Sequence, residues 1–129
     1  VANKIEECKN IVKNRVVELK SKGKKIAAYG APAKGNTLLN YYGIDKEYLS
    51  YAMDELPSKQ GLYTPGTHIL VVPKTYADAH PPQYYLLLAW NYEKVILEKE
   101  QRFMQNGGAF ILPTGKIINS GLSTVGLSK

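Results

Sequence analysis

Residues 26–40 read IAAYGAPAKGNTLLN: a short apolar run breaks into small residues and one lysine, then a new apolar period begins. Tyr29, Gly30, Ala31, Pro32, Ala33, Lys34, Gly35, Asn36 and Thr37 thus lie where a strand turns into a helix. Gly30 and the small residues let a second molecule approach the backbone. The helix start supplies free N–H groups and partial positive charge, and Lys34 adds a full one. That combination suits a phosphate, although a purely structural turn explains the same residues. The three-glycine fingerprint of nicotinamide-binding folds is not matched, because Pro32 stands where the second glycine belongs. The Gly-Lys-Ser/Thr phosphate loop of nucleotide hydrolases is absent as well.

Other candidates fall downstream. Asp54 follows Gly30 by 24 residues at the end of a second apolar run, where Rossmann-type domains place an acid against a ribose hydroxyl; an acid there also caps a loop. Lys59, Gln60 and Gly61 lie in a loop from which the lysine either reaches a phosphate or faces water. Asn91 follows a further strand, as a ligand donor or as the N-cap of the next helix. His68 and His80 lack metal-ligand spacing, and no Ser-His-Asp arrangement can be assembled from the sequence. Cys8 is the single cysteine; it has no partner for a disulfide and reads as structural or incidental. No catalytic group and no metal site are expected.

The elements that must position these residues follow from periodicity. Ile5, Cys8, Ile11, Val12, Val16 and Leu19 recur as one face of a helix ending near Lys22-Gly23. KKIAAYG predicts a first strand, Lys34 to Tyr42 a helix stopped by Gly43, EYLSYAMD a second strand, and HILVVP a third. KTYADAHPPQ reads as a proline-rich connection. YYLLLAW is the fourth strand, NYEKVILEKEQRFMQNGG a helix with Val95, Ile96, Lys99 and Phe103 on one flank, and AFILP the fifth strand. TGKIIN adds a short sixth, and residues 120–129 form a small-residue tail. Short, continuous apolar strands alternating with helices imply a Rossmann-like α/β fold. Its open, mainly parallel sheet has five to six strands with helices on both faces. Ligands then bind outside the carboxyl ends of the strands, where YGAPAKGN, MDELPSKQG, VVPKTYADAH and AWNYE all fall.

A chain of 129 residues with 44% hydrophobic residues fits one domain, residues 1–119, followed by the tail. The Val1 start, opening directly into helix, is read as a piece cut from a longer protein. Nothing resembles a signal peptide or a membrane span, so a cytoplasmic location without a membrane partner is expected. The net charge is +6, with many lysines among residues 4–34; in the first helix basic residues alternate with three glutamates, which describes a solvated face and not a nucleic-acid surface.

YGAPAKGNTLLNYYGI, MDELPSKQGLYTPGTHI and AWNYEKVILEKEQRFMQNGGAFILP, with the preceding helix, resemble the C-terminal domain of S-adenosylmethionine-dependent sugar C-methyltransferases. The likeness runs from about residue 5 to 118. These bacterial enzymes methylate a carbon of a nucleotide-linked deoxysugar. The resemblance implies an N-terminal zinc module, a central domain that holds S-adenosylmethionine and the catalytic base, and this C-terminal domain, which binds the nucleotide-sugar and closes the active site. By that reading Tyr29 to Thr37 line the nucleotide-sugar site, with Lys34 near the diphosphate. Asp54, Lys59, Gln60, Gly61 and Asn91 contribute from neighbouring loops. The partners are the nucleotide-sugar diphosphate and the missing domains, the cofactor belongs to the absent central domain, and the segment alone is inactive. Two other readings stand beside this one: a nicotinamide-type oxidoreductase module, and a non-catalytic domain that only packs against a methyltransferase partner.

Overall fold

The computed structural model describes residues 2–88 and 90–119; the expected tail lies outside them. Helix α1 (Ala2–Ser21) leads into β1 (Ile26–Tyr29), α2 (Ala33–Tyr42), β2 (Ala52–Met53), β3 (Val71–Val72) and α3 (Lys74–Ala79). Strand β4 (Tyr84–Leu87), a 3-10 turn (Trp90–Tyr92), α4 (Glu93–Lys99), α5 (Gln101–Gln105), β5 (Ala109–Ile111) and β6 (Ile117–Ile118) complete the order. The six strands form one sheet in the order β3-β2-β1-β4-β5-β6. The first five are parallel, and β6 alone pairs antiparallel, with β5. This is the Rossmann-like α/β sheet expected from the sequence.

Burial on both faces explains why the strands lack polar alternation. Ile26, Ala28, Leu86 and Ile111 pack on one side with Val12 and Val16 of α1 and Leu39 and Tyr42 of α2. Ala27, Tyr29, Tyr85, Leu87 and Phe110 point the other way, against Ala77 of α3, Ile96 of α4 and Met104 of α5. Successive residues of β1 therefore belong to two different cores, as a period of two requires.

Several elements differ from the sequence expectation. EYLSYAMD contains only a two-residue strand, because Asp45 gathers the backbone N–H groups of Glu47, Tyr48 and Leu49 into a turn. KTYADAHPPQ contains α3: Pro73 stands at its N-cap, where a missing N–H costs nothing, and Pro81 and Pro82 follow its end. The long helix expected after Asn91 breaks at Glu100, which caps both α4 and α5. Of the expected flank Ile96 is buried and Phe103 packs against the same core, joined by Met104, whereas Val95 and Lys99 are exposed. On α1, Val12 and Val16 are fully buried while Ile11 sits at the edge of the contact.

Candidate functional site

The sheet order reverses between β1 and β4, since the chain proceeds from β1 toward β3 on one side and from β4 toward β6 on the other. The crevice at the carboxyl ends of these two strands is the place where open α/β sheets receive ligands. On the β1 side it is built by Gly30, Ala31, Pro32 and the first turn of α2. On the β4 side it is built by Leu88 and the 3-10 turn containing Asn91.

Gly30 adopts a φ of +94°, a region open to glycine, and its N–H bonds the carbonyl of Met53 at 2.7 Å. Pro32 caps α2 without a side-chain hydrogen bond. Gly35 is buried, and a Cβ there would stand 2.8 Å from Leu88 Cβ and 3.1 Å from Pro32 Cγ. Gly30 and Gly35 therefore keep the spacing and the packing role of the first and third glycines of a dinucleotide fingerprint, with Pro32 in place of the second. Lys34 is exposed in the first turn of α2 and makes no ion pair among the described residues. The first N–H groups of the helix add their partial charge beside it.

The loop after β2 straps this turn. Asp54 Oδ2 accepts the N–H of Ala31 at 3.0 Å and Oδ1 that of Leu56 at 2.9 Å. Lys59 Nζ donates to the carbonyl of Ala31 at 2.8 Å and lies 4.0 Å from Asp54 Oδ2. Gln60 donates to the backbone carbonyl of Asp54 at 2.8 Å. The structure thus brings Asp54, Lys59 and Gln60 onto the Gly30–Pro32 turn.

Other expected site residues are placed differently. The ring of Tyr29 turns into the second core, so only its backbone borders the crevice. Asn36 donates to the carbonyl of Pro65 and accepts from Thr67, clamping the 64–67 turn onto α2. Gly61 belongs to the outer edge of the sheet, where its N–H bonds the carbonyl of Val71. Asn91 is exposed within the 3-10 turn, and Tyr92 holds the N-cap position of α4.

Glu100 escapes the sequence reading. Its side chain is only 8% exposed; Oε2 accepts the Tyr29 hydroxyl at 2.6 Å and lies 3.2 Å from Lys74 Nζ. Burial lowers the proton affinity of Lys74, but Asp78 and Glu100 outweigh it and hold the ammonium above its ordinary range. Burial first, and Glu100 second, raise the Tyr29 hydroxyl far above its usual range. The available signal was the four-residue step Ile96, Glu100, Met104, which puts a carboxylate on the buried stripe. Glu100 also borders a groove of about 780 Å³ between Lys74, Asp78, Arg102 and Phe103. Pro82 and Gln83 before β4 and Gly108 before β5 flank it, so it opens near the amino ends of the strands, away from the crevice. The crevice is the better candidate for a ligand seat, because the chain topology and the uncompensated Lys34 converge there. No three His, Cys, Asp or Glu cluster among the described residues, and no helix there is long and apolar enough to cross a membrane.

A switch-point crevice, a glycine turn into α2 and an exposed lysine mark a Rossmann-like domain with a candidate ligand seat. The profile of the C-methyltransferase C-terminal domain family matches residues 1–114, and the chain belongs to that family. The chain is 44% identical over 91 residues to the C-methyltransferase NovU of Streptomyces niveus. The matched stretch is 70% of this chain and 22% of that relative, so the chain spans less than a quarter of the enzyme it matches.

Proposed function

We propose that this chain is the substrate-binding domain of a bacterial, cytoplasmic, S-adenosylmethionine-dependent sugar C-methyltransferase, seating a nucleotide-sugar diphosphate at the β1–β4 crevice. The observation that carries this reading is Lys34, exposed in the first turn of α2 at the switch point and without an ion pair among the described residues. In this arrangement the diphosphate faces Lys34 and the N–H groups of Ala33 to Gly35. Asn91 and Thr37 flank it, and Asp54, Lys59, Gln60 and Gly61 belong to the loop that supports the turn. The domain ends near Asn119, whose side chain donates to the carbonyl of Gly108 at 2.7 Å, with residues 120–129 as a tail.

Methylation at carbon requires a base that removes a proton beside a carbonyl and a methyl group aligned with the resulting carbanion. S-adenosylmethionine supplies that methyl group, and this chain's crevice suits the cofactor poorly. Pro32 removes a backbone donor, and the Asp54 carboxylate is turned into its own loop. The donor and the base therefore belong to the part of the enzyme outside this chain, and the chain alone binds and orients the acceptor without methylating it. The same two features weigh against a nicotinamide-type oxidoreductase. A purely packing role draws support from the exposed Leu56, Leu62, Tyr63 and Leu70 near the β3 edge.

Calorimetric and thermal-shift titration separates these readings, using thymidine, uridine and guanosine diphosphates, their sugars, NAD and S-adenosylmethionine. A ligand at about 100 times its dissociation constant stabilises the fold by about 2.7 kcal/mol. Stabilisation by a nucleoside diphosphate or its sugar, weakened but still measurable in Lys34→Ala, is the expected outcome. Binding of none leaves packing as the role; binding of NAD alone restores the oxidoreductase.

A further inference from the structure

In folds of this kind the acid at the end of the second strand accepts a ribose hydroxyl. Here the acid faces inward. Both Asp54 oxygens accept backbone N–H groups, from Ala31 and Leu56, and the side chain is 16% exposed. Lys59 holds the other side of the same residue through the Ala31 carbonyl, so Ala31 is fixed at its N–H and its C=O by two residues of one loop. Gln60 closes the loop onto the Asp54 carbonyl. Ala31 immediately precedes Pro32, the N-cap of α2, and its orientation sets where the first helical N–H groups and Lys34 point.

We infer that Asp54 and Lys59 are positioning residues that lock the Ala31–Pro32 entry to α2, and that the seat reads the diphosphate without reading the ribose 2′-hydroxyl. This rests on the nucleotide-binding reading above. Two physical consequences separate it from ribose recognition. A site that hydrogen-bonds a substrate hydroxyl strongly rejects the analogue lacking it, whereas a lock acting through Lys34 must be energetically coupled to Lys34.

The experiment titrates the 129-residue chain with uridine diphosphate and 2′-deoxyuridine diphosphate, in wild type, Asp54→Asn, Lys59→Met, Lys34→Ala and the Asp54→Asn/Lys34→Ala double variant. Amide exchange at Ala31 is followed in each protein without ligand. Wild type should bind both nucleotides within about threefold of each other, and Asp54→Asn should weaken both by a similar factor of about ten. In the Lys34→Ala background, Asp54→Asn should have no further effect on affinity. Exchange at Ala31 should accelerate in Asp54→Asn and in Lys59→Met. A preference for the ribonucleotide above about tenfold that disappears in Asp54→Asn would make the acid a ribose acceptor and overturn the inference. Equal losses on both Lys34 backgrounds would also overturn it, as would unchanged Ala31 exchange in both loop variants. Failure of wild type to bind either nucleotide, with Ala31 exchange still responding, would refute nucleotide seating and, with it, the ligand-facing half of the inference.

Discussion

Removal of the Glu100 carboxylate tests a buried polar arrangement that joins Tyr29, Glu100 and Lys74. In Glu100→Ala the Tyr29 hydroxyl, on a residue 5% exposed, loses its acceptor. A buried donor left without a partner costs about 1–3 kcal/mol. The missing γ-methylene adds about 0.8 kcal/mol. Lys74 is not stranded, because Asp78 remains 3.1 Å from its ammonium and the side chain is 32% exposed. Relief from burying a carboxylate offsets part of the loss, so the cost settles at about 2 kcal/mol, below the range for breaking buried pairs. For a domain of this size that lowers the melting temperature by roughly 8 °C. Glu100→Gln keeps an acceptor of the same shape and should cost about 1 kcal/mol. Urea unfolding followed by circular dichroism gives the values for Glu100→Ala, Tyr29→Phe and the double variant. The cycle should return a coupling of about 1.5–3 kcal/mol, as expected for a hydrogen bond to a charged group. A coupling under about 0.5 kcal/mol, or a Glu100→Ala cost that small, would refute the reasoning.

Gly35→Ala should destabilise by about 1–2 kcal/mol despite alanine's better helix propensity, because its Cβ would stand 2.8 Å from Leu88 Cβ. Thermal unfolding decides it, and an increase in melting temperature would show that α2 is not pinned against β4. Alkaline pH should unfold the protein: burial pushes the Tyr51 hydroxyl up to about 12, and Tyr29 and Tyr85 are raised further by burial. Unfolded tyrosines ionise near 10 while these three keep their protons. Their contribution is therefore complete below about pH 10 and falls as pH rises, by up to about 4 kcal/mol per unit for three groups. Urea midpoints between about pH 9 and about pH 11, with tyrosinate absorbance, measure the slope, and Tyr51→Phe should reduce it; a flat profile contradicts the burial argument.

The sequence by itself determined the fold class and the turn from β1 into α2, while the strand order that places the crevice between β1 and β4 came from the tertiary structure. Unbroken apolar runs such as IAAY and YYLL read as strands covered on both faces, and Gly30 with the small residues after it marked the turn into α2. Local chemistry was harder to read where two explanations share one residue type. Proline in KTYADAHPPQ signals a loop or the boundaries of a short helix, and the structure chose the helix. What only the tertiary structure decided is which polar side chains remain free for a ligand. Asp54, Lys59 and Asn36 find their partners in segments 23, 28 and 29 residues away, whereas Lys34 finds none among the described residues. Glu100 reaches across 71 residues to Tyr29. Hydropathy and spacing report the period of an element, which is a local property. Hydrogen-bond partners are set by how distant elements are brought together, and no period along the chain encodes that distance.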